Sequence, residues 1–386
     1  MSRLPAKSKI RSITQSEARR IWLRAQRLDE TAPFGEGPEA TRLATEHLGY
    51  VQIDTINVIE RSHHHILYTR IPNYRRADLR QAQTGDKSVF EYWTHALSYV
   101  PTRDLPFFLT DMKLHTAAPN RWYADANPDD LRRILRMIRK DGPISIRDID
   151  DEPVEKDHPW ASRKPSKRVL QMGFYNGDLA ISERNGMVKT YELMERHFGW
   201  TRRPRAASEK QVTEYIVDRA LRAQGLVSLD SVNYLDNRRK AATKALIESR
   251  VKRKLLVPVE VEGIDKPEFF ATPETLDTLP GPVAPLTHIL SPFDPLIIQR
   301  KRTGALFGYD HVFEAYVPKA KRQFGYFTLP VLVGEDIVAA LDLKTDRAAR
   351  KLLVQSWTWV GPGEPSRHKA AIEEALARFE AFQLGD

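Results

Sequence analysis

The spacing of apolar residues alternates between a helical period and a period of two, and these changes mark the predicted elements. Near the amino end, an apolar helix face follows a capping-box sequence in which Thr14 and Glu17 can each satisfy a free backbone amide. A second helix is predicted to end at His47, because Gly49 follows it and glycine often terminates helices. The chain therefore opens with two helices.

Residues 127–191 and 208–271 have the same order of predicted elements, which indicates an internal repeat. Each copy contains three helices followed by two strands. In the first copy, Ser145 caps a short second helix and Asn185-Gly186 joins the strands, a strong hairpin signal. In the second copy, the third helix covers about 237–250 and is basic. Three helices followed by a two-stranded wing is the order of a winged helix.

Runs rich in proline and charged residues separate the remaining predicted elements. The run from Asp151 to Pro165 predicts an exposed, mobile loop, and the proline-rich segment 273–285 predicts a domain boundary. Beyond this boundary, four strand-like segments and a final helix over about 366–382 predict an antiparallel sheet or small barrel. The four segments are 312–317, 324–333, 337–343 and 352–360.

Composition limits the classes of function. The chain has 386 residues, of which 41% are hydrophobic, so it can form two to four modules with real cores. Its 60 Lys and Arg residues outnumber 51 Asp and Glu residues, and the net charge of +9 suits a polyanionic partner. The sequence has no cysteine, which excludes disulfides, thiolate metal sites and iron–sulfur clusters. No apolar run reaches the roughly 20 residues of a membrane helix.

A polar pair lies just after Gly49, in an otherwise apolar segment. The alternation in Gln52-Ile53-Asp54 predicts a short strand or extended turn with Gln52 and Asp54 on one face and Val51 and Ile53 on the other. The amide and the carboxylate are therefore expected to point together. A surface strand could carry such a pair for solubility alone, and this alternative stays open.

With the stretch that continues to Arg70, Gln52-Ile53-Asp54 resembles the signature of the YcaQ (AlkX) family of crosslink-repair DNA glycosylases. That family carries a Gln-aliphatic-Asp motif where the related AlkZ branch has Gln-aliphatic-Gln, and Asp54 places the chain in the first branch. The segments 291–296 and 299–302 are similar to the family as well. The resemblance covers nearly the whole chain.

The expected fold class is α+β, with tandem winged-helix units followed by a C-terminal antiparallel β-sheet or small barrel. The family resemblance implies the same organisation that the order of the predicted elements indicates. The expected modules are an N-terminal winged-helix unit carrying Gln52-Ile53-Asp54, two further winged helices and a C-terminal β-domain with a final helix. Their ranges are 1–120, 121–200, 201–275 and 276–386.

The resemblance assigns catalysis to Asp54 and Gln52, and the chemistry of the side chains agrees. A carboxylate can stabilise an oxocarbenium-like sugar and polarise the attacking water, whereas an amide can only donate and accept hydrogen bonds and so positions the water or the lesion. Because an N7-alkylated purine is already cationic, it can leave without a general acid. No lysine near Asp54 can form a Schiff base, so a monofunctional enzyme is expected.

The family implies a substrate of duplex DNA with N7-alkylated purines, including interstrand crosslinks. It also implies that His63 and His64 line or flank the active-site groove. Tyr92, Trp93 and His95 belong to a segment similar to the family's aromatic stretch. A glycosylase needs a flat surface to hold an extruded base, and His95 could add a hydrogen bond, although apolar aromatic residues are more often core. Neighbouring histidines cannot converge on a single ion, so neither a metal nor another cofactor is expected.

Basic residues are expected to grip the DNA backbone, because lysine and arginine neutralise phosphates without reading sequence. For any single one of them, an ordinary surface position is the alternative. Asp294, between two prolines, is interpreted as a structural carboxylate that pairs with nearby arginines. The predicted DNA-binding residues are Arg61, Lys167, Arg168, Arg238, Arg239, Lys240, Arg300, Lys301 and Arg302.

Two other classes of protein compete with the glycosylase. A winged-helix DNA-binding regulator without catalytic activity explains the charge and the repeats equally well, but not the paired amide and carboxylate. A nuclease would need several acidic residues and a divalent metal. The hypothesis retained is a monomeric, cytoplasmic and nucleoid-associated DNA glycosylase.

Overall fold

The computed structural model describes residues 10–119, 123, 126–152 and 164–385. Most of the predicted loop from Asp151 to Pro165 lies outside these residues. The chain divides into two compact units, one formed by Met1–Arg76 with Thr213–Asp386 and the other by Ala77–Val212. Across the described ranges, no helix is both long and apolar enough to cross a membrane.

The elements follow one another in mixed order. The helices are α1 (Gln15–Ala25), α2 (Gly37–Leu48), α3 (Ser62–Tyr68), α4 (Arg76–Arg80), α5 (Leu105–Ala117), α6 (Pro128–Asp141), α7 (Pro165–Asn176), α8 (Met194–His197), α9 (Glu209–Gln224), α10 (Leu229–Val232), α11 (Lys240–Lys252), α12 (Pro273–Asp277), α13 (Arg300–Phe307) and α14 (Pro365–Leu384). The strands are β1 (Arg11–Ile13), β2 (Val51–Gln52), β3 (Val89–Trp93), β4 (Leu97–Pro101), β5 (Ile144–Ser145), β6 (Leu179–Asn185), β7 (Val188–Leu193), β8 (Val257–Val261), β9 (Ile264–Ala271), β10 (Thr287–Ile289), β11 (Thr328–Val333), β12 (Asp336–Asp346) and β13 (Lys351–Trp359). The chain is thus α+β, with several small, mainly antiparallel sheets.

In the unit formed by Ala77–Val212, β3 and β4 make an antiparallel hairpin, and α6 and α7 pack beside the sheet β5-β7-β6. The start of α6 is as predicted, because the Asn127 side chain accepts a hydrogen bond from the Asp129 amide and Pro128 opens the helix. The predicted hairpin is also confirmed, since Asn185 and Gly186 lie at the turn between β6 and β7.

The prediction of a short helix capped by Ser145 is wrong. Ile144 and Ser145 instead form β5, which pairs with Tyr191 and Thr190 of β7. The Asp148 carboxylate accepts hydrogen bonds from the Ser145 amide at 2.7 Å and from its hydroxyl at 2.9 Å, which closes a turn. The backbone at this position is therefore satisfied by a strand and a turn rather than by a helix.

The second repeat lies mainly in the other unit and has α10 where the described residues after β5 of the first repeat form a turn. Ser228 and Ser231 form a capping box that begins α10. Val227, the residue before Ser228, bridges to Phe270 of β9, much as Ile144 pairs with β7. The amino-terminal strand β1 pairs in parallel with β8, so this sheet has three strands in the order β1-β8-β9.

The C-terminal region forms a four-stranded antiparallel sheet in the order β10-β11-β12-β13, and α14 packs against β10 and β13. Three of the four predicted strands are confirmed, but the strand predicted at 312–317 is wrong. The Glu314 carboxylate accepts hydrogen bonds from the backbone amides of Phe324 and Gly325 at 2.7 and 3.1 Å. The Glu314 side chain is therefore bonded to the backbone a few residues before β11, and the segment 312–317 itself forms a loop.

Asp294 and Arg70 form an ion pair whose side chains are both fully buried. The two guanidinium Nη atoms lie 2.7 and 3.1 Å from the carboxylate oxygens, a bidentate geometry. Arg70 also donates to the carbonyls of Gln26 and Ile66, and the Leu296 amide donates to Asp294. Asp294 is therefore a buried, paired carboxylate, as interpreted, but the partner is Arg70 and not an arginine near it in the sequence.

Replacing Asp294 with Asn is expected to lower the free energy of unfolding by about 3–5 kcal/mol, because a buried guanidinium is left without its counter-charge. The matched control is Asp277→Asn, which breaks an exposed pair with Arg11 and should cost less than about 1 kcal/mol. Urea unfolding of both variants checks this, and equal losses would contradict a stabilising role for the buried pair.

Candidate active site

Gln52 and Asp54 follow α2 directly because Gly49 reverses the chain. Gly49 has a φ of 80°, and a Cβ at this position would lie 2.4 Å from side-chain carbons of Arg219. A residue with a side chain could not make this turn without moving Arg219. Gln52 then lies in β2 with only 7% of its surface exposed, and Asp54 lies just beyond the strand and is half-buried.

The Asp54 carboxylate is oriented by backbone amides. Its Oδ1 accepts a hydrogen bond from the Ile56 amide at 2.8 Å, and the Thr55 backbone contributes a second interaction. Burial raises the pKa of Asp54 by more than these hydrogen bonds lower it, and no charged side chain in the described part of the chain contributes to the shift. The carboxylate is thus poorly solvated and has a fixed direction.

The three histidines lie in α3, which the sequence places just after the motif. The Ser62 hydroxyl donates to the Gln52 carbonyl at 3.1 Å and so ties the start of α3 to β2. His64 shares a 2.6 Å hydrogen bond with the Tyr74 hydroxyl, and His65 donates to the Ile289 carbonyl at 2.8 Å. Burial lowers the pKa of both histidines to about 4, so they are neutral at physiological pH.

His63 is 3% exposed, and its ring lies 4.3 Å from that of His64, measured between centroids. Such burial does not fit direct contact with a large substrate. Within the described ranges, no three His, Asp or Glu side chains are grouped so that they could hold a metal ion.

A family model for AlkZ-like DNA glycosylases matches residues 45–382, which is most of the chain. The chain belongs to this family. A solved structure, that of the Streptomyces sahachiroi DNA glycosylase AlkZ, is 17% identical and matches with a TM-score of 0.62 over 96% of this chain and 97% of that one. This likeness shows a shared fold. The family predicted from the Gln52-Ile53-Asp54 segment is confirmed, while the branch that Asp54 indicates stays a prediction.

In this AlkZ-like chain, Tyr92, Trp93 and His95 lie in the unit formed by Ala77–Val212, where β3 ends and the hairpin turns. Tyr92 is 1% exposed, and its hydroxyl donates to the Tyr175 carbonyl at 2.8 Å, so it is a core residue and does not fit the predicted contact with a base. Trp93 is 41% exposed and His95 is half-buried. Trp93 is the member of the three that offers a flat apolar surface.

The basic residues of the two repeats have different surroundings. Lys167 is exposed on α7, and Arg168 beside it is half-buried. Arg238 is exposed and pairs with Asp236, and Lys240 pairs with Asp230 at 2.7 Å. Such exposed pairs are weak enough to exchange their partner for a phosphate.

Arg239 is buried at 9% exposure, which does not fit the predicted contact with phosphate. It immediately precedes α11, whereas its neighbour Arg238 faces solvent. Arg61 precedes α3 and is half-buried, with a guanidinium nitrogen 4.0 Å from a Glu60 oxygen. No pattern in the sequence distinguishes the buried Arg239 from the exposed Arg238.

Three consecutive cations at the start of α13 point in different directions. Arg300 and Lys301 are exposed. Arg302 is 5% exposed, lies 4.2 Å from the centre of the Trp22 ring and donates to the Leu226 carbonyl. Arg302 therefore belongs to the core, and the predicted contact with phosphate does not fit its position.

Asp54→Asn is expected to be at least as stable as the parent at pH 7. Because the pKa of Asp54 is raised in the folded chain, the folded state binds this proton more tightly than the unfolded state does, and ionisation at neutral pH lowers the free energy of unfolding. Asparagine removes the charge and keeps an acceptor for the Ile56 amide.

The difference in melting temperature between this variant and the parent should shrink as the pH falls through the folded-state pKa of Asp54. Melting curves between pH 7 and mildly acid pH measure it. A variant that is clearly less stable at pH 7 would identify Asp54 as a structural carboxylate.

Proposed function

We propose that this chain is a monofunctional DNA glycosylase that hydrolyses the N-glycosidic bond of N7-alkylated purines in duplex DNA. The observation that carries the proposal is the Asp54 carboxylate, which is half-buried, oriented by backbone amides and has a raised pKa. A structural carboxylate with these surroundings would be expected to have a cationic partner, as Asp294 has in Arg70. Membership of the AlkZ-like family supports the same activity.

The reaction develops positive charge on the deoxyribose. In its ionised form, Asp54 stabilises this oxocarbenium-like sugar through space and accepts the proton of the attacking water. Its partial burial strengthens the attraction, because charges interact more strongly where little water screens them. Gln52, held in β2 two residues before, orients the water or the lesion by hydrogen bonds.

The leaving base needs no acid from the protein, because an N7-alkylated purine carries its positive charge before the bond breaks and leaves as a neutral base. The neighbouring histidines agree with this scheme. His64 and His65 are neutral at physiological pH and engaged with Tyr74 and the Ile289 carbonyl, so they are not poised to donate protons. The same hydrolysis at one of the two bases of an interstrand crosslink would unhook it, and the released base would stay attached to the other strand.

The two repeats are proposed to be winged helices that bind the DNA backbone. Each has two or three helices followed by a hairpin, and each ends in a sheet of three strands. The exposed cations are the proposed phosphate contacts, and Trp93 is the proposed surface against which the damaged base lies. The proposed phosphate contacts are Arg61, Lys167, Arg168, Arg238, Lys240, Arg300 and Lys301.

Asp54→Asn is expected to abolish the release of N7-alkylguanine from alkylated duplex while leaving affinity for the duplex nearly intact, because only the transition state needs the charge. Gln52→Ala should retain part of the activity. The matched control is Asp178→Asn, since Asp178 is also half-buried with a pKa raised by burial.

The release of damaged bases is measured by counting abasic sites in alkylated and crosslinked duplexes. Turnover by Asp54→Asn at the rate of the parent would overturn the assignment. If the parent itself binds an undamaged sequence and releases no base, the chain is a DNA-binding regulator instead.

The single-turnover rate is expected to fall on the acid side with a midpoint above about 3.9, the usual Asp pKa, because Asp54 must be ionised and its pKa is raised. His64 and His65, with pKa values of about 4, should add no step near pH 6.5. Rates between pH 4.5 and 8, corrected for spontaneous depurination, measure the profile. If the residual rate of Asp54→Asn falls on the acid side with the same midpoint as the parent, the assignment of that midpoint to Asp54 is wrong.

Neighbouring residues of α13 offer a test of the DNA contacts. Arg300→Ala and Lys301→Ala should each reduce the slope of log affinity against log salt by about 1, since each removes one phosphate contact. Arg302→Met should leave the slope unchanged, because its guanidinium lies against Trp22 in the core. If the slope of log affinity against log salt is the same in all three variants as in the parent, Arg300 and Lys301 do not contact the DNA backbone.

A further inference from the structure

The segment between Asp54 and α3 is held by a side chain that lies almost 300 residues further along the chain. Arg347 lies in the turn between β12 and β13. Its Nη1 donates to the Asn57 carbonyl at 3.1 Å, and its Nη2 donates to the Asn57 side-chain oxygen at 2.8 Å. The Nη2 atom also lies 3.5 Å from the Ile59 carbonyl. One guanidinium therefore fixes both the backbone and the side chain of Asn57.

The same region of the C-terminal sheet adds a backbone contact. The Thr345 amide, near the end of β12, donates to the Val58 carbonyl at 2.9 Å. Gln383 of α14 accepts hydrogen bonds from the Thr345 hydroxyl at 3.0 Å and from the Glu60 amide at 2.6 Å. Asn57, Val58 and Glu60 are thus each bonded to the β12–β13 hairpin or to α14.

A second arginine, Arg76, holds the carboxyl end of the segment at Glu60. Arg76 binds the Glu60 carboxylate at 2.6 Å and donates to the carbonyls of Phe382 and Gly385 at 3.1 and 2.8 Å. Glu60 is therefore held through its amide and its carboxylate. The C-terminal helix and hairpin together form a brace for residues 57–60.

The brace is connected to Asp54 through Ile56. Asp54 takes its direction from the Ile56 amide, and Ile56 is bonded covalently to Asn57. Movement of Asn57 would displace the amide that orients the carboxylate. Both Arg347 and Asn57 are exposed, and hydrogen bonds at exposed sites contribute little to stability. The small gain in stability is therefore a weak explanation for the two hydrogen bonds that Arg347 donates to Asn57.

We propose that Arg347 is a positioning residue for glycosidic cleavage, which holds Asn57 so that Asp54 faces the deoxyribose. This inference rests on the proposed function of Asp54. Arg347 acts on the orientation of the carboxylate and not on the affinity for DNA. The C-terminal sheet is thereby part of the catalytic apparatus, although the reacting groups are supplied by the amino-terminal region.

The test compares chemistry with binding in single-turnover release of N7-alkylguanine. Arg347→Ala should slow the chemical step about tenfold to a hundredfold, which is the scale for a displaced catalytic group. The dissociation constant for the same duplex should change by less than about twofold, because a positioning contact acts in the transition state. Arg347→Lys should restore part of the rate, since it can still donate to the Asn57 carbonyl.

The matched control is Arg350→Ala, which removes the same charge from the same turn but has its contact with the Leu384 carbonyl instead. Its rate should equal that of the parent. Asn57→Ala removes only the side-chain acceptor and should cause a smaller loss than Arg347→Ala. In the Arg347→Ala background, Asn57→Ala should add nothing, because the two residues act through one contact.

The outcomes separate this inference from the proposed function. If Asp54→Asn is inactive and Arg347→Ala cleaves at the rate of the parent, the positioning role is wrong while the catalytic role of Asp54 stands. If Arg347→Ala loses rate and affinity in parallel, Arg347 is a DNA contact and the inference is again wrong. Full activity of Asp54→Asn would remove the basis of both.

Discussion

The buried pair of Arg70 and Asp294 connects parts of the chain that lie more than 200 residues apart. Arg70 follows α3, and its guanidinium also binds the carbonyl of Gln26 at the end of α1. Asp294 lies in the loop after β10 and accepts the amide of Leu296. Since neither charge reaches solvent, each residue depends on the other, and α1, α3 and the C-terminal region take their positions as a set. The pair thereby fixes the carboxyl end of α3, while the bond from Ser62 to the Gln52 carbonyl holds its amino end.

Two aspartates of this chain show how surroundings decide the role of a carboxylate. Asp294 has a guanidinium in bidentate contact, so its charge is already balanced and unavailable. Among the residues that the structure describes, Asp54 is bonded to backbone amides, and burial raises its pKa. A carboxylate in the second situation destabilises the fold slightly and attracts any positive charge that forms beside it. That combination is common where a protein gives up some stability for activity.

Local signals in the sequence predicted local structure well. The capping box of Thr14 and Glu17, the start of α6 at Pro128 and the hairpin at Asn185-Gly186 all follow from interactions within a few residues. The candidate site was found in the same way, because the alternation in Gln52-Ile53-Asp54 and the family resemblance both lie in one short stretch.

Interactions over long distances in the sequence could not be predicted. Arg302 looks like its neighbours Arg300 and Lys301, and only the packing of Trp22 against it makes it a core residue. The segment 312–317 has the alternation of a strand, but it forms a loop in which Glu314 accepts hydrogen bonds from the amides of Phe324 and Gly325, a contact that no local pattern predicts. Arg347 gave no signal at all, since its partner Asn57 is 290 positions away.

The parallel pairing of β1 with β8 has a consequence for synthesis of the chain on the ribosome. Arg11–Ile13 emerges first, but its partners Val259–Val261 emerge about 250 residues later, after the whole of Ala77–Val212. At the usual pace of translation, roughly 5–20 residues per second, the amino-terminal segment waits more than about ten seconds with its apolar face uncovered. The unit formed by Ala77–Val212 is continuous and can fold during that interval. The sheet β1-β8-β9 can therefore form only after the whole of Ala77–Val212 has been synthesised.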